Sequence, residues 1–310
     1  MALMQIDRRA LLLAGLATTG CNSVPVADPV GTRLILLGTG GGPRPRRQSS
    51  GSAQVVVVGD DLYVIDCGDG VARQLVMAGL SLDRLRHVCL THHHSDHTAD
   101  YGNLLLLSWV SGLRTPVDTW GPPPLEKITR LFLEMNETDI STRIADEQRI
   151  PLQPLIHPHE IGEGGVIIQN GGVTVTCALV NHPPFEKAFA YRIDAPDRSI
   201  VVSGDTTYSE NLVRLARGAD VLVHEAVLPA GVDSIVARSP NTARLRESIL
   251  SHHTTAEDAG RVAQEAGVKM LVLSHLVPPD DPALTEDMWS DAARKAYSGP
   301  IIVGRDLMVI

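Results

Sequence analysis

The sequence predicts a mixed α/β fold in which two β-sheets are flanked by helices. Strand-like apolar runs are followed by helical stretches, and this order occurs twice along the 310 residues. Several of the apolar runs end directly in a histidine or an aspartate, as expected for a site built at the ends of strands. Because 44% of the residues are hydrophobic, the chain can bury a substantial core. Alternation of this kind favours two sheets with helices packed outside them.

The individual elements follow from the periodicity of apolar residues. In the first half, strands are predicted at 34–37, 54–58 and 62–65, and helices at 70–79, 97–112 and 125–136. In the second half, strands are predicted at 166–169, 173–179, 189–193, 199–202 and 308–310, and helices at 255–266 and 284–297. The runs 88–90 and 270–273 also have the character of buried strand ends.

The most informative motif is Thr-His-His-His-Ser-Asp-His at residues 91–97. It brings four side chains that can bind a metal into six residues: His92, His94, Asp96 and His97. His92 and His94 are two positions apart at a strand end, so they can point the same way, and a tight turn can bring Asp96 and His97 to a second position nearby. Imidazole and carboxylate are the usual ligands of zinc. The motif therefore predicts two metal ions a few ångströms apart.

Three more candidate ligands follow strand-like runs further along the chain. His182 comes after the run 173–179, Asp205 directly after 199–202, and His275 after 270–273. A single histidine or aspartate after a strand is usually structural. Four strand ends that all carry metal-binding side chains indicate one shared site.

With these motifs, the chain from about Leu34 to its C-terminus resembles the metallo-β-lactamase fold hydrolases. The resemblance implies an αβ/βα four-layer sandwich with the site at one edge, where strand ends of both halves meet. It implies one metal held by His92, His94 and His182, a second held by Asp96, His97 and His275, and Asp205 as a bridge between them. The implied cofactors are two Zn²⁺ ions, with Mn²⁺ or Fe²⁺ as alternatives because mixed histidine and aspartate sites accept them too.

Shorter motifs resemble the ribonuclease Z branch of this family and its related arylsulfatase group. They are Leu-Gly-Thr-Gly-Gly-Gly-Pro at 37–43, Asp-Cys-Gly-Asp-Gly at 66–70, His-Glu-Ala at 224–226, His-Thr-Thr at 253–255, and the stretch 104–121. By this resemblance Asp66 supports the site, and His253 is a general acid or binds the oxyanion. Glu225 would orient a histidine, while His224 and Asp96 are further catalytic candidates.

Two features argue against an RNA substrate. Ribonuclease Z carries a long arm between the third histidine and the bridging aspartate, whereas here only residues 183–204 fill that interval, as a short hairpin that turns at 194–197. The chain also has 27 Lys and Arg against 36 Asp and Glu, a net charge of −9, whereas nucleic-acid binders usually show a basic stripe. The basic cluster at 44–47 could grip an anionic substrate or form a solvated loop.

The N-terminus indicates export. Arg8 and Arg9 precede an apolar stretch at 10–17, which is too short to cross a bilayer, since a spanning helix needs roughly 20 residues. We therefore predict a twin-arginine signal peptide at 1–20, a linker at 21–31 and a hydrolase domain at 32–310. Cys21 lies in a segment similar to a lipoprotein cleavage box, so a lipid anchor at Cys21 and an ordinary soluble export signal both remain open.

The remaining cysteines and histidines are expected to be structural. Cys89 and Cys177 lie in apolar runs, so free buried thiols are expected rather than a disulfide framework, and Cys67 is the third cysteine left if Cys21 is lipidated. His157 and His159 form a second His-x-His pair, but no acidic residue follows at the motif's spacing, so we expect a structural or exposed role.

The sequence thus predicts an exported, periplasmic binuclear hydrolase of small anionic esters, either phosphodiesters or aryl sulfates, that uses a hydroxide between the metals. A β-lactamase or lactonase is the alternative, although Asp205 disfavours the lactamase. A tRNA 3′-processing endonuclease and a non-catalytic metal-binding protein are less favoured. No nucleic-acid partner is expected, and the oligomeric state is open, a homodimer being compatible.

Overall fold

The first sheet of the computed structural model, which describes residues 31–240 and 242–310, has six strands. They are β1 (Arg33–Gly38), β2 (Ala53–Val58), β3 (Asp61–Ile65), β4 (Leu85–Cys89), β5 (Val117–Gly121) and β6 (Ile156–Glu160). The strands lie side by side in chain order, antiparallel from β1 to β3 and parallel from β3 to β6. β6 is therefore an edge strand of this sheet.

The second sheet has seven strands. They are β7 (Gly165–Asn170), β8 (Val173–Leu179), β9 (Phe189–Asp194), β10 (Ser199–Val202), β11 (Val221–Val227), β12 (Leu271–Val277) and β13 (Ile301–Val303). They too are adjacent in chain order, antiparallel from β7 to β10 and parallel from β10 to β13. β9 and β10 form the predicted hairpin, with no arm between them.

Ten α-helices connect the strands among the described residues. They are α1 (Val71–Met77), α2 (Ser95–Thr98), α3 (Tyr101–Val110), α4 (Leu125–Met135), α5 (Glu137–Glu147), α6 (Glu210–Ala216), α7 (Pro229–Ala237), α8 (Leu245–His252), α9 (Ala256–Ala266) and α10 (Glu286–Arg294). None of the described helices is long and apolar enough to cross a membrane.

Three buried clusters show how these elements stack. One packs the outer face of the first sheet against α1, α3 and α4, and another packs the second sheet against α6, α9 and α10. The third lies between the two sheets. Alternation along β2 illustrates the arrangement, because Val55 faces the helices and Val56 faces the other sheet. The predicted four-layer αβ/βα sandwich is confirmed.

The structure differs from the predicted elements in three places. Strands β5, β6, β11 and β13 and helices α5 to α8 were not predicted. The predicted helix 97–112 is broken, because the carbonyl of His97 accepts from Cys67 N and the amide of Asp100 donates to Cys67 O. These bonds to the turn after β3 replace helical ones. Residues 308–310 pair only loosely with β1, through a single bridge between Ile35 and Val309 and its neighbouring hydrogen bonds.

The three described cysteines, Cys67, Cys89 and Cys177, are buried and unpaired, as predicted for Cys89 and Cys177. The predicted signal peptide at 1–20, with Cys21 and the linker up to residue 30, lies outside the described residues. The predicted boundaries of these segments stay predictions.

Candidate metal centre

Strands of both sheets deliver the candidate ligands to one place. His92 and His94 follow β4, His182 follows β8, and Asp205 follows β10. His275 lies inside β12 rather than after it, at a bulge opposite β11 and with a φ of +43°. Bulges re-aim a side chain, and strained backbone of this kind clusters at functional sites. Four strands thus meet around one buried carboxylate, Asp205.

The first ligand group consists of His92, His94, His182 and Asp205. His94 Nδ1 lies 2.9 Å from His92 Nε2 and 3.0 Å from His182 Nε2. Asp205 Oδ2 lies 3.8 Å from His92 Nε2 and 3.9 Å from His182 Nε2. Tetrahedral ligands roughly 2.0–2.1 Å from a zinc ion would be about 3.3 Å from one another. The group therefore has the dimensions of a metal site.

The second ligand group consists of Asp96, His97, His275 and, again, Asp205. His275 Nε2 lies 3.2 Å from Asp96 Oδ2 and 3.4 Å from Asp205 Oδ2. His97 Nε2 lies 3.3 Å from Asp205 Oδ1 and 3.7 Å from Asp96 Oδ2. Asp205 faces both groups with its two oxygens, so it occupies the position of a bridging ligand.

Buried atoms without partners support this fit. His97 Nε2 and Asp205 Oδ1 are buried and make no hydrogen bond to any described residue. An unpaired buried polar atom is costly, and a cation between these atoms would satisfy both of them. The donor set, imidazole nitrogens with carboxylate oxygens, suits a divalent ion such as zinc.

The far sides of the histidine rings are held by the protein. His97 Nδ1 lies 2.7 Å from Asp66 Oδ2, and Asp66 is fixed in turn by the amide and hydroxyl of Thr91. His182 Nδ1 lies 2.9 Å from the carbonyl of His252. Such contacts fix the tautomer and leave the other ring nitrogen free for a metal. The supporting role expected for Asp66 agrees with this geometry.

The protonation of the groups also suits metal binding. Burial lowers the pKa of His92, and it lowers the pKa of His182 to about 4, so both rings are neutral. Burial alone would raise the pKa of Asp96, yet His97 and His275 hold it below its usual range. Burial opposes a charge on His97 as well, but Asp205, Asp66 and Asp96 together raise its pKa. Negative charge is thus in excess around His97, where a cation would neutralise it.

Beside the second group, Glu225 holds His253. Glu225 Oε2 lies 2.9 Å from His253 Nδ1, and its Oε1 accepts from the amide of Thr206 at 2.7 Å. Burial disfavours the charged ring, but Glu225 and then Asp205 raise the pKa of His253 to about 9. His253 and Glu225 also form a third group of possible ligands with Asp205 and His275. The geometry therefore allows His253 to be either a proton donor or a metal ligand.

His224 is the one predicted site residue that the structure does not bring to the centre. Its Nδ1 contacts the backbone carbonyl of Glu225 at 2.8 Å, and it belongs to none of the three ligand groups. Neighbouring residues of a strand point to opposite faces, so His224 and Glu225 cannot both face the site. Its Nε2 is buried without a hydrogen-bond partner among the described residues.

One residue at the rim carried no signal in the sequence. Phe185 is half-buried in the loop between β8 and β9. Its ring centroid lies 4.6 Å from that of His94 and 5.4 Å from that of His92, both edge-on, and it is stacked on His182 at 6.2 Å. The ring therefore borders the first ligand group.

Comparisons with known proteins agree with this fold and site. Residues 62–276 match the family model described as Beta-lactamase superfamily domain. Ribonuclease Z of Mycobacterium sp. strain KMS is 36% identical over 276 residues, which is 88% of this chain and 94% of the relative. Ribonuclease Z of Mycobacterium bovis strain BCG / Pasteur 1173P2 is 34% identical over 277 residues, 88% of this chain and 96% of the relative.

Solved structures show the same fold at lower identity. Human tRNase Z, short form, has a TM-score of 0.65 at 21% identity, covering 90% of this chain and 98% of that one. The metallo-beta-lactamase fold protein YhfI from Bacillus subtilis has the same TM-score, identity and coverage.

The chain belongs to the beta-lactamase superfamily and, within it, to the ribonuclease Z-like branch. It is a metal-dependent hydrolase. Hydrolases of this fold bind a pair of divalent metal ions, and the histidine and aspartate clusters of this chain could bind metal.

These relatives overturn the predicted substrate. The prediction of a small anionic ester without a nucleic-acid partner is wrong, because relatives 31–36% identical over most of the chain are ribonucleases by name. The sulfate ester finds no support among them. The absence of an arm was a misleading argument against RNA. The match to the Mycobacterium ribonuclease Z spans nearly the whole of both chains, so that relative has no room for a long arm either. The net charge was also a misleading argument against RNA, because it is a sum over the whole chain and does not report the electric field at the metal centre.

The predicted export is contradicted by the same relatives. An exported, periplasmic or lipid-anchored enzyme does not meet the RNA on which a ribonuclease of this kind acts. The arginine pair and Cys21 on which that prediction was based lie outside the described residues.

Proposed function

We propose that this protein is a metal-dependent endoribonuclease that hydrolyses a phosphodiester bond of RNA, as in the maturation of tRNA 3′ ends. The observation that carries the proposal is the sharing of Asp205 by two ligand groups in a chain whose relatives are named ribonuclease Z. A two-ion site suits in-line displacement at a phosphodiester, because one ion can hold the attacking oxygen while the other stabilises the negative charge that develops on the leaving oxygen.

We assign two Zn²⁺ ions to the two ligand groups. The first would be held by His92, His94 and His182, the second by Asp96, His97 and His275, and Asp205 would contact both. Two such ions, when bound, lower the pKa of a water molecule towards neutrality and stabilise negative charge on the phosphate oxygens. Their charge outweighs that of the two ligand carboxylates, which favours an anionic substrate in an acidic chain.

The protein's own groups would then manage the proton and the substrate. In the hydrolysis, an oxygen from water bonds to phosphorus, the bond from phosphorus to O3′ breaks, and O3′ must receive a proton. His253 can donate that proton from Nε2, because Glu225 engages Nδ1 and stabilises the charged ring. Glu225 is thus a positioning residue that acts through His253.

Phe185 supports RNA over a small ester. Its half-buried ring stands beside His94 and His92, and we expect it to contact a base next to the scissile phosphate. Single-stranded RNA is recognised largely by stacking of unpaired bases on aromatic side chains. A small ester has no base to use this surface.

The test is cleavage of a 3′-extended precursor tRNA by the purified, Zn²⁺-loaded full chain, with both product ends mapped. Attack by water leaves a 3′-hydroxyl on one fragment and a 5′-phosphate on the other. Attack by the RNA's own 2′-hydroxyl, as in contaminating ribonucleases, leaves a cyclic phosphate instead. The Asp205→Ala variant, prepared in parallel, is the background control. No cleavage above that background, or only cyclic phosphate ends, would contradict the proposal.

A further inference from the structure

Arg46 is used differently from its two neighbouring arginines. Arg44 and Arg47 are exposed, whereas Arg46 is half-buried and turned inward. An arginine has five N–H donors. In Arg46 all five are engaged by its own loop: Nη2 donates to the carbonyls of Gly40 and Ser50 at 2.8 and 3.4 Å, Nη1 to those of Gly41 and Gly42 at 3.2 and 2.7 Å, and Nε to Ser49 Oγ at 3.1 Å. No donor is left over to grip a substrate.

Three of these four carbonyls, those of Gly40, Gly41 and Gly42, belong to one short turn at residues 40–42. The opposite side of this turn touches the metal centre. The amide of Gly42 donates to Asp96 Oδ2 at 2.8 Å. The amide of Gly41 donates to the carbonyl of Leu276 at 3.1 Å, next to His275. A Cβ at Gly41 would lie 2.8 Å from the His275 ring. The turn is therefore wedged between the Arg46 guanidinium and two residues of the second ligand group.

The first ligand group is supported from elsewhere. His92 contacts Thr91 Oγ1 at 3.0 Å, and His182 contacts the carbonyl of His252 at 2.9 Å. Hydrogen bonds from the turn at 40–42 to this group are absent among the described residues. Any effect of Arg46 on the metal centre is therefore transmitted through Asp96 and His275.

We propose that Arg46 is a positioning residue that clamps the turn at 40–42 against Asp96 and His275, and so sets the metal affinity of the second ligand group alone. Arg46 would then act on the centre through the turn at 40–42 rather than by gripping the substrate. The cavity between Arg46, Asp69, Ser95 and Asp96 has a volume of about 50 Å³, too small for a nucleotide. The inference rests on the proposed two-ion centre but not on RNA as the substrate.

The experiment compares Arg46→Ala and Arg46→Lys with wild type, using Arg47→Ala as the matched control. The full chain is freed of metal, and Zn²⁺ is titrated against a chromophoric chelator to obtain both affinities. Loss of a group that supports a metal ligand lowers metal affinity typically by about 10- to 100-fold. In Arg46→Ala we expect a loss of Zn²⁺ affinity of that size at one of the two metal positions, and in Arg47→Ala we expect no loss. Arg46→Lys should lose less affinity than Arg46→Ala, because its ammonium keeps some of the hydrogen bonds, although it cannot span all five acceptors.

The weakened position is identified with Co²⁺. At one equivalent of Co²⁺, Arg46→Ala should give the absorption spectrum of His275→Ala, in which only the first ligand group is complete. Wild-type affinities at both positions, or equal losses at both, would overturn the role of Arg46 while leaving the two-ion centre standing. A wild-type chain that binds fewer than two ions would overturn the centre and this inference together. Should Arg46→Ala fail to fold, as judged by circular dichroism, Arg46→Lys carries the same test.

Discussion

The chain contains two His-x-His pairs, and the structure puts them to opposite uses. The pair at 92–94 follows β4 and meets Asp205 and His182, which come from the second sheet. The pair at 157–159 lies within β6 and contacts Asp118 of the neighbouring strand, at 3.7 Å from His157 and 2.7 Å from His159, and neither histidine meets a residue of the second sheet's ligand set. We call His157, His159 and Asp118 the edge cluster.

The difference lies in position within the fold rather than in residue type. The carboxyl end of β4 faces strand ends of the other sheet, so three further ligands converge on it. β6 is an edge strand, and the His157 and His159 side chains are 47% and 39% exposed. The edge cluster is absent from the groups of described residues that could hold a metal. A ligand motif thus becomes a site only where a second sheet completes it.

The largest difference in activity is expected between variants of Asp205, in the metal centre, and Asp118, in the edge cluster. Asp205→Ala should lower kcat for RNA cleavage by about a thousandfold or more, because metal stabilisation of the reaction is worth several kcal/mol and each 1.36 kcal/mol is tenfold. Both ions should be bound more weakly, since Asp205 faces both ligand groups. Asp118→Ala should keep wild-type kcat and two ions per chain. Metal analysis and single-turnover kinetics check both variants, and a metal ion lost from Asp118→Ala would show that the edge cluster takes part in metal binding.

The metal centre and the edge cluster each contain a histidine paired with a carboxylate. His253 lies 2.9 Å from Glu225 in the metal centre, and His159 lies 2.7 Å from Asp118 in the edge cluster. His253→Ala should lower kcat on RNA by roughly 10²- to 10⁴-fold with two ions retained, because general acid catalysis is lost. An activated nitrophenyl phosphodiester, whose leaving group needs no proton, should lose far less. His159→Ala should change neither the activity on RNA nor that on the activated phosphodiester. Equal losses on both substrates would show that His253 binds substrate, and loss of an ion would show that it is a ligand.

Both regions carry an aromatic ring against a histidine, Phe185 beside His94 at 4.6 Å and Trp120 on His159 at 4.1 Å. Stacking on an aromatic side chain is worth about 1–3 kcal/mol per base, so Phe185→Leu should lower kcat/KM for RNA by roughly 5- to 150-fold. The loss should vanish for a substrate made abasic at the contacted nucleotide. Trp120→Leu should lower the melting temperature but not the kcat/KM of folded protein. If Phe185→Leu lowered kcat/KM by the same factor on every abasic substrate, the ring would serve only to pack against the histidines and not to stack on a base.

The smallest effect is a pH dependence of stability beside the edge cluster. His87, in register with Asp118, is buried and stacked on Tyr63, and burial lowers its pKa below 6.5. The unfolded chain therefore binds a proton below about pH 6.5 that the folded chain resists, so stability present above that pH is lost as the pH falls. His87→Phe should make the loss of stability between pH 7 and pH 5 smaller than in wild type. Urea unfolding at both values measures it, and an identical pH dependence in both proteins would contradict the assignment.

The candidate ligands that the structure brings together could be predicted from the sequence because their signal is local and chemical. His92, Asp205 and His275 could be predicted as ligands from a metal-binding side chain at the end of an apolar run. The contact of Glu225 with a histidine could be predicted from the resemblance to ribonuclease Z. That resemblance also suggested His224, which the alternation of side chains along β11 turns away from the site.

The rest depends on contacts between distant segments. Nothing in the run 44–47 distinguishes Arg46 from Arg44 or Arg47, because what sets Arg46 apart is the turn at 40–42 folding back over it. Phe185 becomes informative only once His92 and His94 are beside it. The substrate was misjudged because total charge is a property of the whole chain, whereas recognition depends on the local surface of the site, and because the missing arm does not distinguish this chain from its ribonuclease Z relatives.

The number of bound ions that RNA cleavage requires can be measured directly. The metal-free chain is loaded with increasing Zn²⁺, ions per chain are counted by native mass spectrometry, and cleavage of the precursor tRNA is measured on each sample. We expect full cleavage only in the population with two ions, and none above background in Asp205→Ala at any loading. Full cleavage with a single ion, or no cleavage of RNA with two ions bound, would contradict the claim that two ions sharing Asp205 make this chain a ribonuclease.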